Sequence, residues 1–176
     1  MIIDHPPSVV QRFFQPIAAR LSKPQRAHLV PLVLAIAVGW RCSKLAHLAA
    51  TIKDGWHRTR LGGFLRSGWD EAALLSDRAL SLLKRMKPRP NEVLELLIDD
   101  TRIAKRGRQM EGAQKMWDHT HQRFVRGHIV VTAALRFRGV VLPWALELWL
   151  PKRCAGRSYR KTTEIAAELI ERLPVP

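Results

Sequence analysis

The chain has 176 residues, with 30 Lys and Arg against 15 Asp and Glu, giving a formal net charge of +15. Apolar residues make up 47%, which excludes a disordered basic tail, and two cysteines exclude a disulfide scaffold. Such a charge points to a polyanion, most simply nucleic acid, with a ribosome-associated or merely basic protein as the alternative. The start, Met1-Ile2-Ile3-Asp4-His5-Pro6-Pro7, has no basic segment followed by an apolar one. The longest apolar run, Leu29 to Trp40, contains Pro31 and Gly39. It falls short of the ~20 residues of a membrane span. A cytoplasmic protein with no membrane partner is therefore expected.

Up to Met86 the pattern is helical. Ser8 with Gln11 fits a capping box, and Val9, Phe13, Ile17 and Leu21 recur every four residues, with Pro16 predicting a kink or a late start. Pro24 opens a second helix, running to about Val38. Ser43 caps a third, carrying Leu45, Leu48, Ala49 and Ile52, and Lys53-Asp54-Gly55 signals a turn. His57 to Arg66 is a fourth helix, burying Leu61, Phe64 and Leu65. Asp70-Glu71 opens a fifth, whose apolar side is Leu75, Ala79, Leu82, Leu83 and Met86, and Pro88 and Pro90 stop it. After Pro90 the period changes. Val93 to Ile98 predicts a strand ending in Asp99-Asp100-Thr101, and a basic loop follows from Arg102 to about Arg126. His128 to Phe137 and Val140 to Leu150 are two further strands, joined around Arg138-Gly139. Pro143 marks the second of these as an edge or a late start. A loop from Lys152 to Lys161 leads to a last helix, Thr162 to Arg172, capped by Thr162 or Thr163. No internal repeat is seen.

Several features bear on chemistry. The two helices around Lys53-Asp54-Gly55 are spaced like a helix-turn-helix, whose second helix would show Arg58, Arg60 and Arg66 to the major groove. Arginine suits that place because its planar fork pairs with guanine edges and phosphates. An ordinary helical hairpin with solvated cations fits the spacing equally, and the net charge favours DNA. The loop after the first strand offers Lys105, Arg106, Arg108, Arg123 and Arg126 interleaved with Trp117 and Phe124, which suits a backbone and an unstacked base; a solvated loop with inward aromatics is the comparable alternative. Lys152, Arg153 and Arg157 lie in a second loop free of acidic residues. At Asp99-Asp100-Thr101 a strand-end carboxylate could hold Mg²⁺, but alternation sends the two aspartates to opposite faces, and a lone turn Asp is the simpler account. His119, His121 and His128 match no common zinc spacing, and Trp40, Trp56, Trp69, Trp144 and Trp149 are most simply core.

Leu96-Leu97-Ile98-Asp99-Asp100-Thr101, followed by Lys105, Gly107, Arg108 and Gly112, begins a longer pattern. It continues through Trp117-Asp118-His119, Gly127-His128-Ile129-Val130-Val131 and Leu148-Trp149-Leu150-Pro151. Together with Arg60-Leu61-Gly62-Gly63-Phe64-Leu65-Arg66-Ser67-Gly68-Trp69-Asp70 upstream, it resembles an insertion-sequence transposase of the cut-and-paste DDE class, over nearly the whole chain. The resemblance implies an α+β chain: a helical DNA-binding domain over 1–88, then an incomplete RNase H-like core over 91–176 with three strands and one helix. It implies that Asp100 is the first catalytic aspartate and a metal ligand, in a site where two Mg²⁺ ions cut and join DNA. It also implies recognition of transposon terminal repeats. The family needs a second Asp on a later strand and a Glu on a later helix, a role that Glu164, Glu168 and Glu171 do not fit. The expectation is the N-terminal part of a transposase that binds DNA but is catalytically incomplete alone, with a full-length transposase or a second copy as a further partner. An open sheet edge predicts marginal stability or self-association of 91–176. The alternatives are a non-enzymatic DNA-binding module or transposition inhibitor, and an RNA-binding or ribosome-associated protein.

Overall fold

The computed structural model describes residues 7–38, 44–52, 57–105, 107 and 110–173. Within them the chain is α+β, with seven α-helices and a four-stranded antiparallel sheet. It divides into two compact units, Met1–Leu74 and Leu75–Pro176.

The first unit is helical. Helix α1 (Ser8–Ala18) follows Pro7 without a side-chain cap and runs through Pro16, so the expected box at Ser8 does not form. The box forms instead before α2 (Lys23–Val38). There the Ser22 N–H donates to Gln25 Oε1 (2.9 Å) and the Gln25 N–H donates to Ser22 Oγ (3.4 Å). Helix α3 (Leu45–Thr51) buries Leu48 and Ala49. Helix α4 (Arg58–Arg66) buries Leu61, Gly62 and Phe64, and the His57 ring accepts the Thr59 N–H at its start. Leu65, expected inside, is exposed. Phe64 stacks on both His28 and Trp69, with centroids 5.8 and 5.4 Å away. The Ser43 cap, the Lys53-Asp54-Gly55 turn, Trp40 and Trp56 lie outside the described residues. Helix α5 (Glu71–Arg85) is capped by Asp70, whose Oδ1 accepts the Ala73 N–H at 2.8 Å. Leu74 belongs to the helical core, whereas Ala79 and Leu83 belong to the core of the second unit.

The second unit is built on four strands, β1 (Glu95–Ala104), β2 (Gln114–Asp118), β3 (Arg123–Phe137) and β4 (Val140–Trp149). The expected sheet of three strands thus gains β2, inside the segment read as a loop. Long β3 is the centre. Glu95–Ala104 runs along one of its edges, while β2 and β4 pair with successive stretches of it, Arg123–Gly127 and Ile129–Phe137. Because β3 has two edges and β1 occupies one of them, β2 and β4 share the other. Arg138 and Gly139, with φ of 48° and 78°, make the two-residue turn between β3 and β4. The Arg138 side chain then donates to both Glu92 carboxylate oxygens and to the Met86 carbonyl.

Pro143 lies on β4, which among the described residues pairs only with β3, so its missing N–H breaks no ladder. Next to it the register shifts between Ala133 and Ala134, leaving Trp144 as an extra residue. The bulge lets Leu142, Trp144 and Ala145 all reach the core, and the Trp144 indole N–H donates to Ser76 Oγ of α5 at 3.0 Å. The short α6 (Lys152–Ala155) and a 3₁₀ turn (Gly156–Ser158) occupy the expected second basic loop. Helix α7 (Thr162–Glu171) follows. It starts one residue before the expected threonine caps, with the Lys161 N–H donating to Glu164 Oε2 at 2.7 Å. Ile165 and Leu169 of α7 meet Val131, Ala133, Leu135 and Phe137 of β3 in one apolar cluster. The opposite face of the sheet leaves Leu97, Val141, Leu146 and Leu148 exposed.

Candidate functional site

The cations of α4 do not form a single row. Arg58, Gly62 and Arg66 recur every four residues and share one side of the helix. With Lys44 and Thr59 they line a groove of about 580 Å³ between α3 and α4, whose lining among the described residues includes no acidic side chain. Arg60 faces the other side, where it lines a second groove of about 250 Å³ with Gln25, His28 and Ser67. Gln25 is held there by bonds from its amide to Ser67 Oγ and the Gly68 carbonyl. All three arginines are exposed. The sequence places them on one helix; the fold gives them two separate surroundings.

Asp100 lies inside β1 rather than at its end, because Thr101, Arg102, Ile103 and Ala104 continue the ladder against Val130, Ile129, His128 and Gly127. Alternation puts Asp100 on the face of Leu96 and Ile98, which pack on the α7 core, and Asp99 on the other face. Its carboxylate is about one-third exposed, with Arg102 Nη1 3.5 Å from Oδ1. Pairing places Asp100, Val131 and Glu147 in one row across the sheet. Glu147 is engaged, however: Arg172 donates to it at 2.8 Å and Arg160 lies 3.9 Å away, while Arg160 also pairs with Glu168 of α7. This Glu147–Arg160–Glu168–Arg172 network was not legible in the sequence, since its members come from β4, the segment before α7, α7 itself and its C-terminal cap. Among the described residues no group of three or more His, Cys, Asp or Glu is placed to hold a metal ion.

The segment after β1 is a hairpin with a cationic, aromatic face. Register places Lys115 opposite Arg126 and Trp117 opposite Phe124, so these four side chains share one face of β2 and β3. Met116, on the other face, is buried. Phe124 is 61% exposed, meets Trp117 edge to face at 5.0 Å, and has the Lys115 ammonium 4.3 Å from its ring centre. At the turn, Asp118 accepts the His121 ring Nδ1 (2.8 Å) and the Thr120 and His121 backbone N–H groups. The His121 contact, first among these, holds its carboxyl below the ordinary range. Arg123 and Lys105 are exposed, and Arg106 and Arg108 lie outside the described residues. The strand was missed because Gln-Lys-Met-Trp-Asp does not alternate cleanly; the usable signal was the polar turn 119–122 between two apolar pairs, Met116-Trp117 and Phe124-Val125.

Lys152, Arg153 and Arg157 are exposed on α6 and the 3₁₀ turn, though Arg153 also donates to the Ala113 carbonyl at 3.2 Å. His128 Nε2 lies 2.8 Å from the Glu111 carbonyl oxygen, so His121 and His128 sit in separate local contacts rather than one cluster. No helix of the described residues is long and apolar enough to cross a membrane.

No curated protein and no solved structure matches the chain. The sequence does match the family described as DDE superfamily endonuclease, over residues 13–173, and so through both units. An exposed cationic helix in one unit, and an antiparallel sheet carrying a half-buried aspartate in the other, are the parts that this match unites. The chain belongs to the DDE superfamily endonuclease family.

Proposed function

We propose that this protein is a transposase-derived DNA-binding protein that acts in the cytoplasm on the terminal repeats of an insertion sequence. The observation that carries the reading is the family match over residues 13–173, since the nucleases of that family act on DNA and generally use divalent metal ions. The charge of +15 and the groove that Lys44, Arg58 and Arg66 line support it. In this reading residues 1–88 recognise DNA through α3 and α4. Arg58 and Arg66 meet phosphates, and Arg60 reaches a base edge. Lys105, Arg106, Arg108, Arg123, Arg126, Lys152, Arg153 and Arg157 extend the cationic surface over residues 91–176.

Asp100 is proposed as the first acidic residue of the nuclease site and one ligand of Mg²⁺. The family resemblance calls for a second Asp on a later strand and a Glu on a later helix, and in this reading another chain or segment supplies them. A full-length transposase or a second copy fits that requirement, and a chain that occupies DNA ends without cutting them would act as an inhibitor.

Binding to a duplex carrying the element's terminal sequence, against a scrambled duplex of equal length, tests the reading. Arg60→Ala is expected to cost about 1–3 kcal/mol on the terminal sequence and much less on the scrambled one. Equal affinity for both duplexes in the unsubstituted protein, or tighter binding to RNA, would sink the proposal. With Mg²⁺ present the chain alone should not nick either duplex; cleavage lost in Asp100→Ala would show that its own residues suffice.

A further inference from the structure

On the β2–β3 hairpin an exposed ring and cations share a surface. Four facts define it. Trp117 and Phe124 are directly paired, as are Lys115 and Arg126, so an aromatic row lies beside a cationic row on one face. Within the paired residues of the hairpin that face carries no carboxylate, because Asp118 and Gln114 alternate to the other side, where Met116 is buried. Phe124 is 61% exposed. The Lys115 ammonium, 4.3 Å from the Phe124 ring centre, shows that the ring is within reach of a positively charged group.

We propose that this face is a stacking platform for an unpaired nucleotide of DNA. A base of any identity stacks on the ring when Lys115, which lies over it in the free protein, swings aside to the adjacent phosphate, which it and Arg126 neutralise. Charge decides the occupant. Two cations beside an exposed ring match the alternating phosphates and bases of a single strand better than they match an apolar protein partner. The choice of DNA over RNA rests on the function proposed above. The role goes beyond that reading, since duplex recognition through α4 needs no unpaired base.

The test uses the full chain and labelled oligonucleotides: oligothymidine of about a dozen nucleotides, a duplex of the same length and oligouridine. Phe124→Ala should weaken oligothymidine binding roughly 5- to 100-fold, the range of one lost base stack. Duplex affinity should stay within about twofold, because phosphate contacts carry it. Phe124→Leu, which keeps bulk against Trp117 but has no ring, should show the same loss, and Phe124→Trp should restore binding. Lys115→Ala with Arg126→Ala should lower the salt dependence by about one unit of slope per side chain. Equal losses on duplex and single strand, full binding by Phe124→Leu, or failure of Phe124→Trp to restore it would overturn the platform. Tighter, Phe124-dependent binding of oligouridine would overturn the assignment to DNA. Terminal-sequence selectivity that persists while Phe124→Ala leaves oligothymidine binding untouched ends this inference alone. Phe124-dependent oligothymidine binding without that selectivity ends the earlier reading alone.

Discussion

Glu92 shows how single side chains fasten the loops of the second unit. The Arg89 backbone N–H and then the Arg138 guanidinium hold its carboxyl below the ordinary range. Arg138 in turn keeps the β3–β4 turn in its left-handed conformation against Met86 and Glu92. A carboxyl whose pKa is lowered by folding stabilises the fold fully above its unfolded value and loses that contribution as pH falls through the folded one. From neutral to about pH 3, the melting temperature of the unsubstituted protein should therefore fall further than that of Glu92→Gln, with the two converging in acid. Parallel melting curves across that range would refute the role. Both groups are exposed to solvent, so the difference is expected to be small and sensitive to salt.

At the level of elements, Gly127 is the junction. It pairs with Ala104 of β1 and with Gln114 of β2, just before β4 takes over the second edge. A Cβ built there would stand 2.0 Å from the Ile103 carbonyl oxygen and 2.9 Å from the Ala104 Cα. These are backbone atoms, so relief requires β1 and β3 to separate. Gly127→Ala should destabilise the protein by about 1–3 kcal/mol or more, measured by urea unfolding. Gly63→Ala is its control: a Cβ there meets nothing within 4 Å, and the helix gains propensity. An unchanged midpoint for Gly127→Ala would mean that the junction is looser than its geometry. The bulge at Trp144 is the second device of this kind, since one extra residue turns three β4 side chains inward and re-aims the indole at α5.

At the scale of the whole molecule, the division between units falls inside α5 rather than at a loop. Ala79 and Leu83 share a core with Leu135, Phe137 and Trp144, and Leu80, Leu82 and Met86 pack against it. A piece covering 91–176 lacks this helix and exposes that core, in addition to Leu97, Leu146 and Leu148 on the opposite face. Among the described residues β1 pairs only with β3, which leaves its other edge open. Such a piece should melt without cooperativity, or associate in a concentration-dependent way, while the full chain keeps a cooperative transition. A sharp, monomeric melt of 91–176, followed by circular dichroism and light scattering, would contradict this.

The sequence by itself determined the helix–sheet order, the hairpin turn at Arg138-Gly139, and the family resemblance carried by Ile98-Asp99-Asp100-Thr101. Each is encoded locally, by period, by backbone preference or by a contiguous motif. The opposite facing of Asp99 and Asp100 followed as well, because alternation needs no partner strand. Tertiary structure alone decided where β1 ends, since Thr101 to Ala104 are strand only because β3 is long enough to pair with them. It also decided that Gln114–Asp118 is a strand, that Arg58 and Arg60 face different grooves, and that Glu147 is tied up by arginines. These depend on contacts between residues far apart in the chain, which no local pattern records.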